Sequence, residues 1–458
     1  MTSAASGDRW RAPWSGAILG VWAGTAALAP SLTLKVALLV PALLIPLAWW
    51  TLQNEQRWVS MFICSALLLP PFPVTLGDSG PHICLLFAAL GLMAGMLRSE
   101  WRIDWRGPGV PLVVLFAILL ASVGPAAFYS GTAVAAASLA RVMLFGISVY
   151  VYFFAGSDAG RPGLLFWAGV ASALFACVDF YFQFPAPAGY GPQFVWLDSG
   201  VYRRAQGVFY EASTLGNLCA FFLVMMAVAL SRPRGESPVP RKWLLAGGPI
   251  LLAALVLSYS RASLVCVAIA LSVLAWRERG RLRLVRLAAV VTAGSGLGVL
   301  LLWRVFPIFA NTYWLRLSAS VEYLFSGAEG VLSGRVAAWR TLAGWIAGHP
   351  WQLLSGIGYK TLPYTEHLGA PVIADNMYLS LLIETGVAGL AALIWLNIAM
   401  LRAAGRASRS GNPRRSFFGT WMLCFWAGEI VQMASGDILT YWRILPLYFW
   451  VAALAVRA

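Results

Sequence analysis

A succession of apolar segments runs through this chain, each close to the length of a membrane crossing and each cut off by a short polar or charged turn. A crossing helix needs about 20 largely apolar residues to traverse roughly 30 Å of hydrocarbon, and backbone in lipid must satisfy its own hydrogen bonds by being helical. Segments near 15–31, 33–52, 58–74, 82–97, 109–128, 134–155, 162–183, 212–230, 243–259, 262–276, 285–304, 376–401, 416–434 and 438–456 meet that demand approximately. Some are short, 262–276 above all, so the reading is a bundle of about 12–14 spans. With 60% hydrophobic and only 11% charged residues over 458 positions, a soluble domain is excluded. The fold class is an all-α, polytopic integral membrane protein.

Positive loops stay on the cytoplasmic side of a membrane, so lysines and arginines orient the bundle. Placing the N-terminus inside puts Arg57, Arg98, Arg106, Arg161, Arg232, Arg241, Arg277, Arg402 and Arg457, with most of the other basic residues, on one face. A register error of one span would scatter them. The net charge of +15 then reads as topology and anionic-lipid contact, and no nucleic-acid partner is expected. Lys35, Arg141, Arg304 and Arg443 sit in or beside spans, as do Asp179 and Glu429, and buried pairs between helices are their ordinary explanation. Arg203, Arg204, Arg261, Arg316, Arg335, Arg340 and Lys360 fall on the outer face. Two readings stand for them: long loops escape the charge bias, or these residues form an anion site.

Three passages meet on that outer face. Tyr202-Arg203-Arg204-Ala205-Gln206-Gly207-Val208-Phe209-Tyr210-Glu211 runs into a span. Ser258-Tyr259-Ser260-Arg261 is a polar knuckle between two short apolar segments. The long polar stretch over 305–375 carries Gly334-Arg335, Trp339-Arg340, Gly356-Ile357-Gly358-Tyr359-Lys360 and Asp375, and the following span opens with Asn376-Met377-Tyr378. The chain therefore divides into 1–200 and 201–304, both membrane helices, an outer loop over 305–375, and a last group of spans over 376–458. Guanidinium keeps its charge where water is scarce and binds phosphate oxygens through paired hydrogen bonds. Arg261, between two helices, needs a polar cavity, an anion or an escape to the headgroups. Asp375 is either a helix N-cap or a functional carboxylate. Residues 337–346 look amphipathic and suggest a helix on the outer surface, ended by Pro350, while Trp345, Trp351, Tyr359 and Tyr364 offer faces for sugar stacking.

The six cysteines lie in or beside apolar spans and suggest no disulfide framework; the three histidines show no metal-ligand spacing, so neither metal nor cofactor is expected. No small-residue cleavage signature follows the first apolar segment, which is expected to serve as its own insertion signal. A Walker-type Gly-Lys-Ser/Thr sequence is absent, which argues against an ATP-driven pump on this chain. A lipid-linked oligosaccharide flippase or another polytopic transporter stays open as the alternative; it would place its basic residues along a central cavity between related halves.

The order of Arg204-x-x-Gly207-x-Phe209, a Ser260-Arg261 turn, a large outer loop with Gly334-Arg335 and Gly356-x-Gly358, and a polar pair opening the next helix resembles the bacterial O-antigen ligase and polymerase superfamily. The resemblance covers roughly residues 200 to 400. Its ligases carry a histidine, then Asn, Ser or Gln, nine residues, Gly, two residues and Gly; here Asp375, Asn376, Gly386 and Gly389 keep the spacing with aspartate in the histidine's place. The resemblance implies a GT-C-like glycosyltransferase of the bacterial inner membrane. It would work at the periplasmic face, metal-independent and inverting, with an undecaprenyl-diphosphate-linked glycan as donor. A glycan, lipid A core or other lipid-linked sugar would be the acceptor. Asp375, Arg261 and Glu211 become the expected catalytic residues. Arg203, Arg204, Arg335, Arg340, Lys360, Asn376 and Tyr378 become the expected substrate-binding ones, with Arg204 favoured over Arg203.

Overall fold

A computed structural model describes residues 11–31, 34–35, 45–51, 53, 55–74, 80–98, 105–155, 162–197, 200–233, 237–279, 303–304, 307, 310–315, 318 and 335–457. The segment 285–302, most of 33–52, Arg316 and Gly334 lie outside the described residues. What is described is almost wholly helical: α1 (Arg11–Leu28), α2 (Glu55–Leu68), α3 (Cys84–Arg98), α4 (Gly109–Ala121), α5 (Val123–Ser130), α6 (Thr132–Phe154), α7 (Pro162–Phe182), α8 (Ala212–Ser231), α9 (Arg241–Leu257), α10 (Arg261–Arg277), α11 (Arg335–Gly348), α12 (Gln352–Ser355), α13 (Met377–Ala407), α14 (Pro413–Gln432) and α15 (Leu445–Arg457). Five helical stretches among them are long and apolar enough to cross a membrane: α4 with α5, α6, α7, α8 and α13; shorter apolar helices lie within α2, α3 and α15. The protein is an all-α polytopic membrane protein.

The helices enclose one large core, with α8, α14 and α15 at its centre: Phe221, Phe222, Trp421, Phe425, Trp426 and Tyr448 are fully or almost fully buried. Several polar side chains inside this core are joined to one another. Glu429 accepts from Asn217 Nδ2 at 2.7 Å, Tyr448 bonds Asn217 in turn, and Cys266 Sγ donates to the same carboxylate, tying α8, α10, α14 and α15. At the basic end of the bundle, Arg232 reaches Ser416 O and Thr420 Oγ1 while Arg277 reaches Ser408 O and Arg457 reaches Phe153 O. Arginines there tie neighbouring helices together by donating to backbone carbonyl oxygens, those of Ser408 and Phe153 lying at helix C-termini.

The opposite end is built from irregular chain. A two-stranded antiparallel hairpin, β1 (Phe194–Leu197) and β2 (Gly200–Arg203), pairs Phe194 with Arg203 and leads into α8. Above it, α11, α12 and the loop to α13 form a cap with its own small core of Leu342, Ile357, Leu362, Ala374 and Ile383. The amphipathic segment expected at 337–346 is thus α11, buried through Leu342 and anchored by Trp339 Nε1 on Ala374 O at 2.6 Å. The last span departs from the expected 438–456. Asp437 caps a short 3-10 turn over Ile438–Thr440, and helix α15 starts only at Leu445, which leaves Tyr441 to Arg443 as loop.

Candidate active site

Helix α13 holds the key to the geometry of this end. It is broken at Gly386, whose φ of 74° lies in the left-handed region. A Cβ there would come 2.6 Å from Leu354 O, so only glycine lets the α12 turn dock into the break. The carbonyls released by the break are used: Ile383 O accepts from Ile357 N and Glu384 O from Gly358 N, and the Glu384 carboxylate accepts from Leu362 N at 3.3 Å. Gly358 packs directly on Ala126 of α5, and Tyr359 N donates to Ser122 Oγ at the α4–α5 junction. The Gly356-Ile357-Gly358-Tyr359-Lys360 loop is therefore clamped between α5 and α13, which fixes where Lys360 projects. Its ammonium meets Asp437 Oδ2 at 2.5 Å. Burial opposes that charge, but Asp437 and Glu384 outweigh burial and hold Lys360 above its ordinary value.

The Ser258–Arg261 knuckle is positioned with equal economy. Gly216 of α8 lets it approach: a Cβ at Gly216 would lie within 2.9 Å of Ser258 Oγ, Ser260 Cβ and Ser263 Oγ. Ser260 is the N-cap of α10, its Oγ accepting from Ser263 N. Arg204 is strapped to the same knuckle, with Nε donating to Ser258 O at 2.8 Å and the next residue's amide to Leu257 O. Arg204 and Arg261 are thus brought side by side from loops separated by a whole helical hairpin. Arg335, the first residue of α11, closes the group and bonds Asp375 Oδ2 through Nε at 3.0 Å. Burial holds Arg204 below the ordinary arginine value; Tyr441 and Glu211 oppose the shift, and the like charges of Arg335 and Arg261 add to it.

These side chains line one cavity of about 1160 Å³. Its wall takes in Arg204, Arg261, Arg335, Lys360, Glu211 and Asp375, together with Arg141, Tyr210, Tyr259, Glu384, Gln432, Asp437, Tyr441 and Arg443. Its mouth includes the Arg335–Asp375 pair, whose side chains are 26% and 47% exposed, and the neighbouring Ile373. Backbone strain gathers here: of five non-glycine residues with positive φ among the described residues, Tyr210, Tyr259, Lys360 and Asp375 line this cavity. Each such residue costs about 1–3 kcal/mol and persists where the surroundings enforce it, a pattern typical of functional sites.

Residues 247–394 match the family model described as O-antigen ligase. This stretch is an O-antigen ligase domain. Curated proteins provide no match to the chain. The O-antigen ligase domain supplies Tyr259, Arg261, Arg335, Lys360, Asp375 and Glu384 to the cavity. Arg204, Glu211, Gln432 and Tyr441 reach it from outside the matched residues. The match supports an activity of O-antigen ligase or polymerase type in general.

The structure separates the residues the sequence grouped together. Arg203 turns away to Asp179 at 3.3 Å and braces the hairpin. Arg340 is exposed on α11 and is not among the lining residues. The helix cap is Asn376, whose Oδ1 accepts from Leu379 N, and not Asp375. Tyr378 donates to Ile430 O and holds α13 against α14. Of the aromatic residues considered for stacking, Tyr359 and Tyr364 line the cavity; Trp345 stacks on His349, and Trp351 is 82% exposed.

Other groups were hidden by their apolar surroundings. Arg141 lies within α6 yet reaches over to Lys360 O and Tyr364 Oη at the cavity wall. Arg443 is spent on carbonyl oxygens, those of Ala66 and Val208, and lies over Phe209. Tyr441 is buried among Ser213, Glu211 and Glu429, and burial with those carboxylates raises its value far above that of an ordinary phenol, so it stays a neutral hydroxyl. The sequence reading of Arg141 as one member of a buried pair between helices does not foresee this reach to the cavity wall.

Proposed function

We propose that the protein is a membrane glycosyltransferase that moves glycan from an undecaprenyl diphosphate donor to a sugar hydroxyl, without a metal and with inversion. One observation carries the reading: Arg204, Arg261 and Arg335 converge on a single cavity whose wall also bears the carboxylates Asp375 and Glu211. Three guanidinium groups crowded at one place repel one another and lose hydration, and a bound diphosphate offsets both costs.

In the transfer step the acceptor oxygen attacks the anomeric carbon from the face opposite the leaving group. The new carbon–oxygen bond forms as the bond to the diphosphate oxygen breaks, and the diphosphate departs with the electron pair. Charge grows on the diphosphate, and fixed guanidinium donors stabilise it without reorganising. Asp375, or failing that Glu211, receives the acceptor proton. The ion pair with Arg335 keeps the Asp375 carboxylate oriented at the mouth, and Glu211 is steadied by a 2.6 Å bond from Thr214 Oγ1. The bias of basic loops toward the other end of the bundle supports a cavity on the periplasmic face of the inner membrane, where donor and acceptor would both arrive by diffusion in the lipid.

The test is transfer by the purified protein, given undecaprenyl-diphosphate oligosaccharide and EDTA, with either a second donor molecule or a lipid A core as acceptor. Polymer from donor alone identifies a polymerase, and product only with added core identifies a ligase. No consumption of donor with any acceptor overturns the proposal. Product whose new linkage retains the donor's anomeric configuration overturns the single-displacement step.

A further inference from the structure

Part of the cavity lining has a chemistry different from that of the Arg204, Arg261 and Arg335 group. Gln432, at the end of α14, is 3% exposed, and neither its amide nitrogen nor its amide oxygen has a hydrogen-bond partner among the described residues. Glu384, one turn below Ser380 on α13, is 1% exposed; its Oε1 takes Leu362 N, while Oε2 has no hydrogen-bond partner. Both residues line the cavity, as do Ser380, Ser435 and Asp437. Two buried side chains lining the same cavity therefore carry three unsatisfied polar atoms among the described residues, each costing about 1–3 kcal/mol if left unmet.

A phosphate does not suit this part of the lining, because the Lys360 charge is already taken by Asp437 and the Glu384 carboxyl group brings no charge that attracts an anion. Sugar hydroxyls do suit it. Each hydroxyl both donates and accepts, a carboxylate oxygen accepts, and an amide offers one donor and one acceptor side by side, the pattern that pairs with two neighbouring hydroxyls on a ring. Resting on the transferase reading above, we infer that Gln432 and Glu384 form a subsite for the hydroxyls of one sugar ring, with Ser380 and Asp437 at its edge. The ring belongs to the donor's diphosphate-linked sugar or to the acceptor's terminal sugar. Arginines would then grip the charge while this wall selects which glycan is moved. A site built around such hydrogen bonds discriminates strongly against a sugar lacking the hydroxyl, since its own buried groups are then stranded.

The test compares wild type with Gln432→Leu in the full-length protein. Initial transfer rates are measured while donor is varied at saturating acceptor, then acceptor at saturating donor, and undecaprenyl diphosphate carrying no sugar is titrated separately. Tenfold or greater rise in the KM of one substrate, with unchanged affinity for undecaprenyl diphosphate, supports the subsite and identifies whose ring it holds. Unchanged KM for both substrates overturns it. If Gln432→Leu no longer holds undecaprenyl diphosphate, Gln432→Asn, which keeps the amide and withdraws it by one methylene, is put through the same comparison and judged by the same two outcomes. Failure of the underlying transferase reading looks different, because the wild type itself then consumes no donor.

Discussion

At the scale of single residues, the cavity divides its charged groups between holding a ligand and holding the protein. In the proposed site Asp375 is free to act on the acceptor: its carboxylate is half exposed and its helix is capped by its neighbour, Asn376. Replacing it with alanine should lower kcat by about 10²- to 10⁴-fold, the usual contribution of a general base, while donor binding stays intact. Transfer rates and donor titration on the same preparation check this, and an equal loss of both would return Asp375 to a structural role. Lys360 belongs to the second kind. Removing its ammonium leaves Asp437 buried without a counter-charge, so Lys360→Met should cost about 3–5 kcal/mol of stability, and Lys360→Met with Asp437→Leu should recover much of it. Thermal unfolding in detergent reads both. The folded value of Lys360 lies above its ordinary one, so the pair's contribution is complete below the unfolded lysine value and fades only as pH rises through the folded one. Melting temperature should accordingly show no loss from this pair between pH 7 and pH 9.

At the scale of elements, the break in α13 does most of the positioning. The Gly386 kink opens backbone groups that bind the Gly356–Lys360 loop, and the same loop packs onto α5 through Gly358. Gly386→Ala combines a positive φ with a methyl group 2.6 Å from a carbonyl oxygen, and it should destabilise the fold by at least about 1–3 kcal/mol and displace Lys360. Unfolding and transfer should fall together, in contrast to the selective effect at Asp375. The spacing of Asp375, Asn376, Gly386 and Gly389 was legible in the sequence, but its physical meaning was not. A glycine inside an apolar span reads as a small packing residue until the partner that enters the kink is known. Similar reasons hid Glu384, Gln432 and Tyr441. Each lies in or beside an apolar span, where an interhelical hydrogen bond or an interfacial position is the ordinary explanation, and only the fold brings them to one cavity.

At the scale of the whole molecule, hydropathy carried most of the information. Each crossing segment must be apolar for its full length, so the helical membrane class follows directly, and the spans expected at 134–155, 162–183 and 212–230 match α6, α7 and α8 closely. The last span was less legible because apolar residues continue through Ile438 and Leu439, which pack into the core as a tight turn instead of a helix. The two ends of the bundle differ in chemistry: one is closed by arginines on carbonyl oxygens, the other is open and strained around the cavity. With the basic end in the cytoplasm, a cysteine at exposed Glu366 should react with a membrane-impermeant maleimide on intact cells, and one at exposed Arg409 only after permeabilisation. Reversed labelling would invert the topology and place the cavity on the wrong face for a periplasmic donor.

The measurement that bears most directly on the whole account is the affinity of the purified protein for undecaprenyl diphosphate, compared between wild type, Arg204→Ala and Arg261→Ala. Each removes a charged donor from the cavity, and each should weaken binding by at least about tenfold, the equivalent of one charge-assisted hydrogen bond. Affinity unchanged in both variants would mean that the convergent arginines do not hold the diphosphate, and the proposed transferase site would fall with them.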